Sequence, residues 1–332
     1  MAQASSAKSS IRAGATNRLR HAPVQTITVP LWYGCEVPGP ELGAKALRDG
    51  LVRRWEAPQH GDLQARLLAP ITIPVTEIDD AAHLVHRRDL TFLPAIEDAN
   101  QRLADAVDSA IRQGHLALVL GGDHALAIGS IAGAARNATR PGVIWIDTHP
   151  DMNTPASSAS GHIHGMPLGT VTGRAVETLP RSSMLAGRVP MVQPEHVCLL
   201  GIRDIDLDEQ RFIRERGIFA RSMDEWNDEG ILPGLQSALA YLERQGVDSI
   251  HLSFDLDSLD PVYLPGTGTR YPGGLTVREA SRILRYLGDA DAPLHSMDMV
   301  ELNPRLDPSG NSTETALHLL ATALGQRMLG RG

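Results

Sequence analysis

Along this chain, short runs of consecutive apolar residues alternate with longer stretches in which apolar residues recur every three or four positions. The unbroken runs are Leu116 to Leu120, Val143 to Ile146 and Val197 to Leu200; Val24 to Val29, Ser249 to Phe254 and Leu294 to Val300 are similar in length and carry polar residues among the apolar ones. Each is too short for a helix and reads as a strand. Ile71 to Val75 reads as a weak strand because Pro74 sits inside it. Helical spacing covers about Glu41 to Arg53, Pro94 to Gln113, a stretch from Leu126 onward, and Leu207 to Gly217. It returns around Leu235, Leu239 and Leu242, then over Thr276 to Gly288 and Thr313 to Leu324. The clearest helix is Pro94 to Gln113, where Ile96, Leu103, Val107 and Ile111 form one stripe. Pro94 suits its first turn and Gly114 its end. Thr276-Val277-Arg278-Glu279 forms a capping box. Strands that are apolar on both faces, alternating with helices, predict a parallel sheet covered by helices on both sides.

In such sheets, ligands bind beyond the carboxyl ends of the strands. Four strand ends here carry ionisable groups: His124 after Gly121-Gly122-Asp123, then Asp147, His149 and Asp151, then Asp255 and Asp257, and finally Glu301. In an extended chain Asp147, His149 and Asp151 leave on one face. Unpaired carboxylates beside an apolar strand cost several kcal/mol or more each, and a bound cation removes that cost. Singly, each group has an ordinary reading: a helix-start histidine, turn carboxylates, a buried ion-pair partner. Four at equivalent strand ends point to a metal site.

Composition narrows the partners. The 332 residues are 42% hydrophobic and 21% charged, ordinary for a globular protein. No stretch approaches 18 consecutive apolar residues, so no membrane partner is expected. A formal charge of -8 argues against nucleic acid. Cys35 and Cys198 form neither a disulfide framework nor a thiolate metal motif and read as free thiols in a reducing, cytoplasmic setting. Residues 1–22 read as a flexible tail, basic through Lys8, Arg12, Arg18 and Arg20. Organellar import is the alternative reading of that tail. No linker or repeat divides residues 23–332, which read as a single domain.

Three segments now carry a resemblance. Gly121-Gly122-Asp123-His124, Asp147-Thr148-His149-Pro150-Asp151 and Ser253-Phe254-Asp255-Leu256-Asp257-Ser258-Leu259-Asp260-Pro261 resemble the signature segments of the arginase/agmatinase (ureohydrolase) superfamily. The resemblance runs from about residue 25 to the C-terminus. It implies a three-layer α/β/α fold with a central, mostly parallel sheet of about eight strands. It also implies two Mn2+ per subunit, in a ligand set that admits Co2+, Ni2+ or Fe2+. Carried over, His124, Asp147, Asp151 and Asp255 would hold one metal, and His149, Asp147, Asp255 and Asp257 the other. Two close metals lower the pKa of a shared water, and hydroxide attacks the guanidino carbon. Glu301 would hold the guanidinium, Asp151 would move the proton to the leaving amine, and His164 would shuttle protons or contact the substrate.

The loop Asn153 to Gly161 looks like the arginase branch. There the residues matching Asn153 and Ser160 bind an α-carboxylate, and the one matching Asp206 binds an α-amino group. Thr269, in the loop Gly266 to Gly274, is a further substrate-binding candidate. The expected substrate is therefore L-arginine, cleaved to L-ornithine and urea. Guanidinobutyrate, guanidinopropionate, homoarginine and agmatine are the alternatives; a silent metal-binding relative and a metallophosphatase are readings from other classes. His162 and Arg270 depart from the family's usual Asn and Pro. The family implies a homotrimer or homohexamer.

Overall fold

The computed structural model describes residues 17–55, 61–84, 90–175 and 189–327. Eight strands form one sheet: β1 (Val24–Val29), β2 (Ile71–Thr72), β3 (Leu116–Gly121), β4 (Pro141–Ile146), β5 (Val197–Ile202), β6 (Phe219–Ser222), β7 (Ser249–Asp255) and β8 (Leu294–Val300). Their order is β2-β1-β3-β8-β7-β4-β5-β6, and every pairing is parallel. β7 and β8 thus lie between β3 and β4.

Alternation along each strand divides the interior into two cores. In β3, Leu116, Leu118 and Leu120 join the core of the helices Pro40–Trp55, Ile231–Arg244, Val277–Asp289 and Asn311–Ala323. Ala117 and Val119 join the opposite core, with the helices Leu93–Arg112 and Ala127–Ala135. β4 divides in the same way, Ile144 and Ile146 against Val143 and Trp145. These are the three layers expected from the sequence. β7 and β8 follow the rule on one face only, through Leu252, Phe254, Met297 and Met299. On the other face they bury His251, Ser253, Ser296 and Asp298.

The helices form as their patterns dictate. Val277–Asp289 buries Ala280, Ile283, Leu284 and Leu287, one stripe at helical spacing. Its capping box is present, with the Glu279 N–H donating to the Thr276 hydroxyl and the Thr276 N–H to the Glu279 carboxylate. Burying one leucine contributes about 2 kcal/mol, and Leu284→Ala would cost about 2–5 kcal/mol. Leu207–Arg216 ends at Gly217, whose φ of 61° is left-handed and suits glycine.

Three expectations change. The strand expected over Ile71 to Val75 forms ladder pairs only at Ile71 and Thr72; Pro74 has no N–H with which to extend it. β6, which the pattern did not reveal, has all four residues half-buried and so shows no alternation. The flexible tail does not extend to residue 22. Leu19 is fully buried, Asn17 donates to the carbonyls of Leu287 and Ala290 at 2.7 and 2.8 Å, and Arg20 pairs with Asp289. Residues 1–16 lie outside the described residues.

Candidate metal centre and active site

The four central strands β3, β8, β7 and β4 all end at one edge, and each delivers ionisable groups there. After β3 the chain passes under Leu31. A Cβ on Gly122 would lie 2.2 Å from the Leu31 carbonyl oxygen, so only glycine fits. The turn His124–Leu126 follows, started by Asp123, whose carboxylate accepts from the Ala125 N–H at 2.8 Å. Glu301, at the end of β8, donates its N–H to the Gly122 carbonyl at 2.9 Å. Its carboxylate accepts from the His124 N–H at 2.7 Å. Two strand ends are thereby tied together at the backbone of a candidate ligand.

His124, Asp147 and Asp151 converge as one possible cation cluster, and Asp147, His149 and Asp257 as a second. Asp147 belongs to both. The His124 Nδ1 lies 3.1 Å from Asp147, 3.3 Å from Asp151 and 2.9 Å from Asp255. The His149 Nδ1 lies 3.4 Å from Asp147 and 3.3 Å from Asp257. The convergence does not arise from an extended chain. β4 stops at Ile146, the backbone bends from Asp147 to His149, and Asp151 takes a left-handed φ of 49°. Glu301 does the same, at 67°. Such conformations cost about 1–3 kcal/mol each in a non-glycine residue and persist only where the surroundings enforce them.

The donor set fits metal ions by a direct test. The His124 Nδ1 and the Asp147 Oδ2 are buried and make no hydrogen bond, which is costly unless something else binds them. Protons partly substitute for that missing charge. Burial opposes a charged His124, but Asp147, Asp151 and Asp255 outweigh it and hold its pKa well above the ordinary value. Burial and Asp147 push the Asp151 carboxyl up to about 6. A divalent cation at either cluster would replace these protons. Hard oxygens with imidazole nitrogens suit first-row divalent metals.

Above the clusters lies a pocket of about 140 Å³, walled by His124, His149, Asp151, Asp255 and Asp257 at its floor. Asn153, His164, Asp204, Asp206, Glu209 and Thr269 form its sides. Asn153 donates to the Asp206 carboxylate at 2.8 Å and accepts from the Ser157 hydroxyl at 2.8 Å. Thr269 donates to the Asp257 Oδ2 at 2.7 Å and so orients a candidate ligand. The His164 Nδ1 lies 3.2 Å from the Glu301 carboxylate. Burial lowers the His164 pKa, but Glu301 more than offsets this and brings it to about 8. Glu301 itself sits behind the pocket wall, only 2% exposed. Ser160 does not reach the pocket wall. It lies in the exposed loop, bonded to the Ser158 hydroxyl and the His162 N–H.

Arg270 is turned away from the mouth, donating to the carbonyls of Thr267 and Leu306. Two ionisable wall residues escaped the sequence reading. Asp204 approaches the His149 Nε2 at 3.6 Å. Glu209 accepts from the N–H groups of Met152 at 2.9 Å and Asp206 at 3.1 Å, and burial pushes its carboxyl up to about 7. The signal for Glu209 was its place three residues after a helix-capping Asp206.

A model of the arginase family matches residues 22–325. An arginase of Bacillus caldovelox is 39% identical over 308 residues, which cover 92% of this chain and 99% of that protein. The chain belongs to the arginase family. The solved arginase of the same organism superposes with a TM-score of 0.82 at 37% identity, covering 93% of this chain and 100% of that one. The arginase of Entamoeba histolytica, solved in complex with L-ornithine, gives 0.81 at 29% identity over 93% of this chain and 100% of its own. As a member of the arginase family the chain is a hydrolase of guanidino C–N bonds.

Proposed function

We propose that this chain is a manganese-dependent arginase that converts L-arginine to L-ornithine and urea. The observation that carries the reading is the pair of cation clusters sharing Asp147, set under a pocket whose wall bears Asp206 and Asn153. His124, Asp147, Asp151 and Asp255 would hold one Mn2+; His149, Asp147, Asp255 and Asp257 would hold the other. When bound, the pair supplies a water acidified toward neutrality and neutralises the buried carboxylates.

The chain's own groups divide the remaining work. Asp206, Asp204 and Glu209 line one side of the pocket and attract a cationic α-ammonium. Asn153, its Oδ1 engaged by Ser157, presents its amide N–H to an α-carboxylate. Ser160, on its exposed loop, contributes less to that carboxylate. The guanidinium lies toward Asp151 and His164, with the Glu301 charge behind them. Asp151 accepts a proton from the attacking water, and His164, protonated near neutrality, delivers one to the leaving amine. Thr269 keeps Asp257 in place. L-Ornithine in the Entamoeba relative supports an amino-acid substrate.

The same reading expects a cytoplasmic homotrimer or homohexamer, which light scattering would test. Among the described residues no helix is long and apolar enough to cross a membrane. The deciding experiment is urea release by Mn2+-loaded protein from arginine, homoarginine, agmatine, guanidinobutyrate and guanidinopropionate. Arginine should be preferred by at least tenfold; equal rates for a compound lacking the α-amino group would overturn the assignment.

A further inference from the structure

Beneath the His124 cluster a ladder of polar groups runs down the β7/β8 pair. His251, Ser253 and Asp255 alternate on one face of β7, and the register sets His251 beside Ser296 and Ser253 beside Asp298. Exposure is 2% for His251, 0% for Ser253, 1% for Ser296 and 0% for Asp298. These positions face the helix Ala127–Ala135, where the buried Ser130 meets them. The equivalent face of β3 and β4 is apolar, through Ala117, Val119, Val143 and Trp145. A buried charged ladder is not the cheap way to fill such a face; its hydrogen bonds indicate what it is for.

The order of the protons follows from counting donors. The Asp298 carboxylate receives three: Ser253 at 2.6 Å, Ser130 at 2.6 Å and the His251 Nε2 at 2.9 Å. A carboxylate that takes three donors accepts only. Ser253 has one hydroxyl proton, and Asp298 takes it. Ser253 can then only accept from its other neighbour, the His124 Nε2 at 2.8 Å. A neutral His124 must therefore carry its proton on Nε2 and aim a lone pair from Nδ1 at Asp147, Asp151 and Asp255. Trp145, stacked on the ring at 4.0 Å and 3°, blocks rotation out of that plane.

We propose that Asp298, anchored by His251 and Ser130, is a positioning residue that fixes the tautomer of His124 through Ser253 and thereby sets the affinity of the His124 cluster for its cation. The inference rests on the two-metal reading above. It assigns to a residue outside the pocket a control over the metal position that His124 serves, because the path from Asp298 through Ser253 ends on His124, which belongs to the first cluster and not to the His149 cluster.

The test is metal affinity, read by chelator competition on intact protein loaded with Mn2+, for the natural chain, Asp298→Asn, Ser253→Ala and the double variant. Removing groups that orient metal ligands typically weakens binding roughly 10- to 100-fold. Each single variant should lose that factor for one ion and keep the other ion's affinity within about twofold of the natural chain. The double variant should lose no more than the worse single one, because both break one path. With Zn2+ as a diamagnetic substitute, 15N-labelled histidine in the natural chain should show His124 protonated at Nε2.

Should Asp298→Asn fail to fold, Ser253→Ala removes only a hydroxyl and carries the same expectation. Unchanged affinity for both ions, equal weakening of both, additive losses, or His124 protonated at Nδ1 would each overturn the proposal. Fewer than two ions in the natural chain would instead overturn the two-metal reading itself.

Discussion

Loading the centre with Mn2+ should stabilise the fold by an amount that depends on Asp147. This residue belongs to both cation clusters and is fully buried, with one oxygen lacking any hydrogen-bond partner. A ligand that binds only the folded chain, at one hundred times its Kd, adds about 2.7 kcal/mol. Two sites add about 5 kcal/mol. The unfolding entropy of a chain this long is about 0.7 kcal/mol/K near 60 °C, so Tm should rise by roughly 7 °C. Asp147→Asn preserves the shape but removes the charge shared by both ions, and should reduce the rise to about 1 °C or less. His149→Asn spares the His124 cluster and should keep about half the rise. Scanning calorimetry of metal-stripped protein titrated with MnCl2 reads the difference between loaded and stripped states. That difference cancels each variant's effect on the metal-free fold. A full increment in Asp147→Asn, or its loss in His149→Asn with retention in Asp147→Asn, would refute the reasoning that one carboxylate serves two ions.

Three further outcomes are expected. Asp206→Asn removes a charged partner worth about 1.5–3 kcal/mol to an α-ammonium, so kcat/KM for arginine should fall roughly 10- to 100-fold; a guanidino acid without the amino group should be cleaved no more slowly than before. Burial, followed by Arg18, lowers the His295 pKa from 6.5 to about 4. Its neutral form therefore stabilises the fold fully above pH 6.5, and this is lost as pH falls toward 4, up to about 3 kcal/mol. Urea midpoints of His295→Gln should be flatter across that window, and an unaltered slope would rule His295 out. Gly122→Ala would press a methyl against the Leu31 carbonyl, at 2.2 Å, costing about 3 kcal/mol; an unchanged urea midpoint would mean the turn yields freely.

Much of this was legible in the chain because a doubly covered parallel sheet demands unbroken apolar runs. Four strands stop on or within three residues of a candidate site residue: His124 after β3, Asp147 after β4, Asp255 at the end of β7 and Glu301 after β8. What was hidden depends on contacts far apart in sequence. Asp151 reaches the centre by a left-handed turn held where its carbonyl accepts from the Gly169 N–H at 3.1 Å and where Glu209 accepts from the next N–H. No local pattern announces either bond. Thr269 is expected from the sequence as a substrate-binding residue; the bond its hydroxyl donates to Asp257 has no local signal. Ser160 sits in a polar loop whose path the sequence leaves open. β6 was invisible because a half-buried edge strand shows neither an apolar run nor alternation.

The strand order has a consequence for how the enzyme comes into being. β7 and β8 are the last strands to leave the ribosome, yet they fill the gap between β3 and β4. The contacts that complete the centre span 129 residues, from His124 to Ser253, and 177, from His124 to Glu301. A nascent chain ending before β7 lacks Asp255 and Asp257, and so offers neither ion its full set of proposed partners. A cation bound at both clusters would therefore not act as a scaffold for early folding. It would close a finished structure, and a chain truncated within β7 should emerge metal-free however much Mn2+ surrounds it.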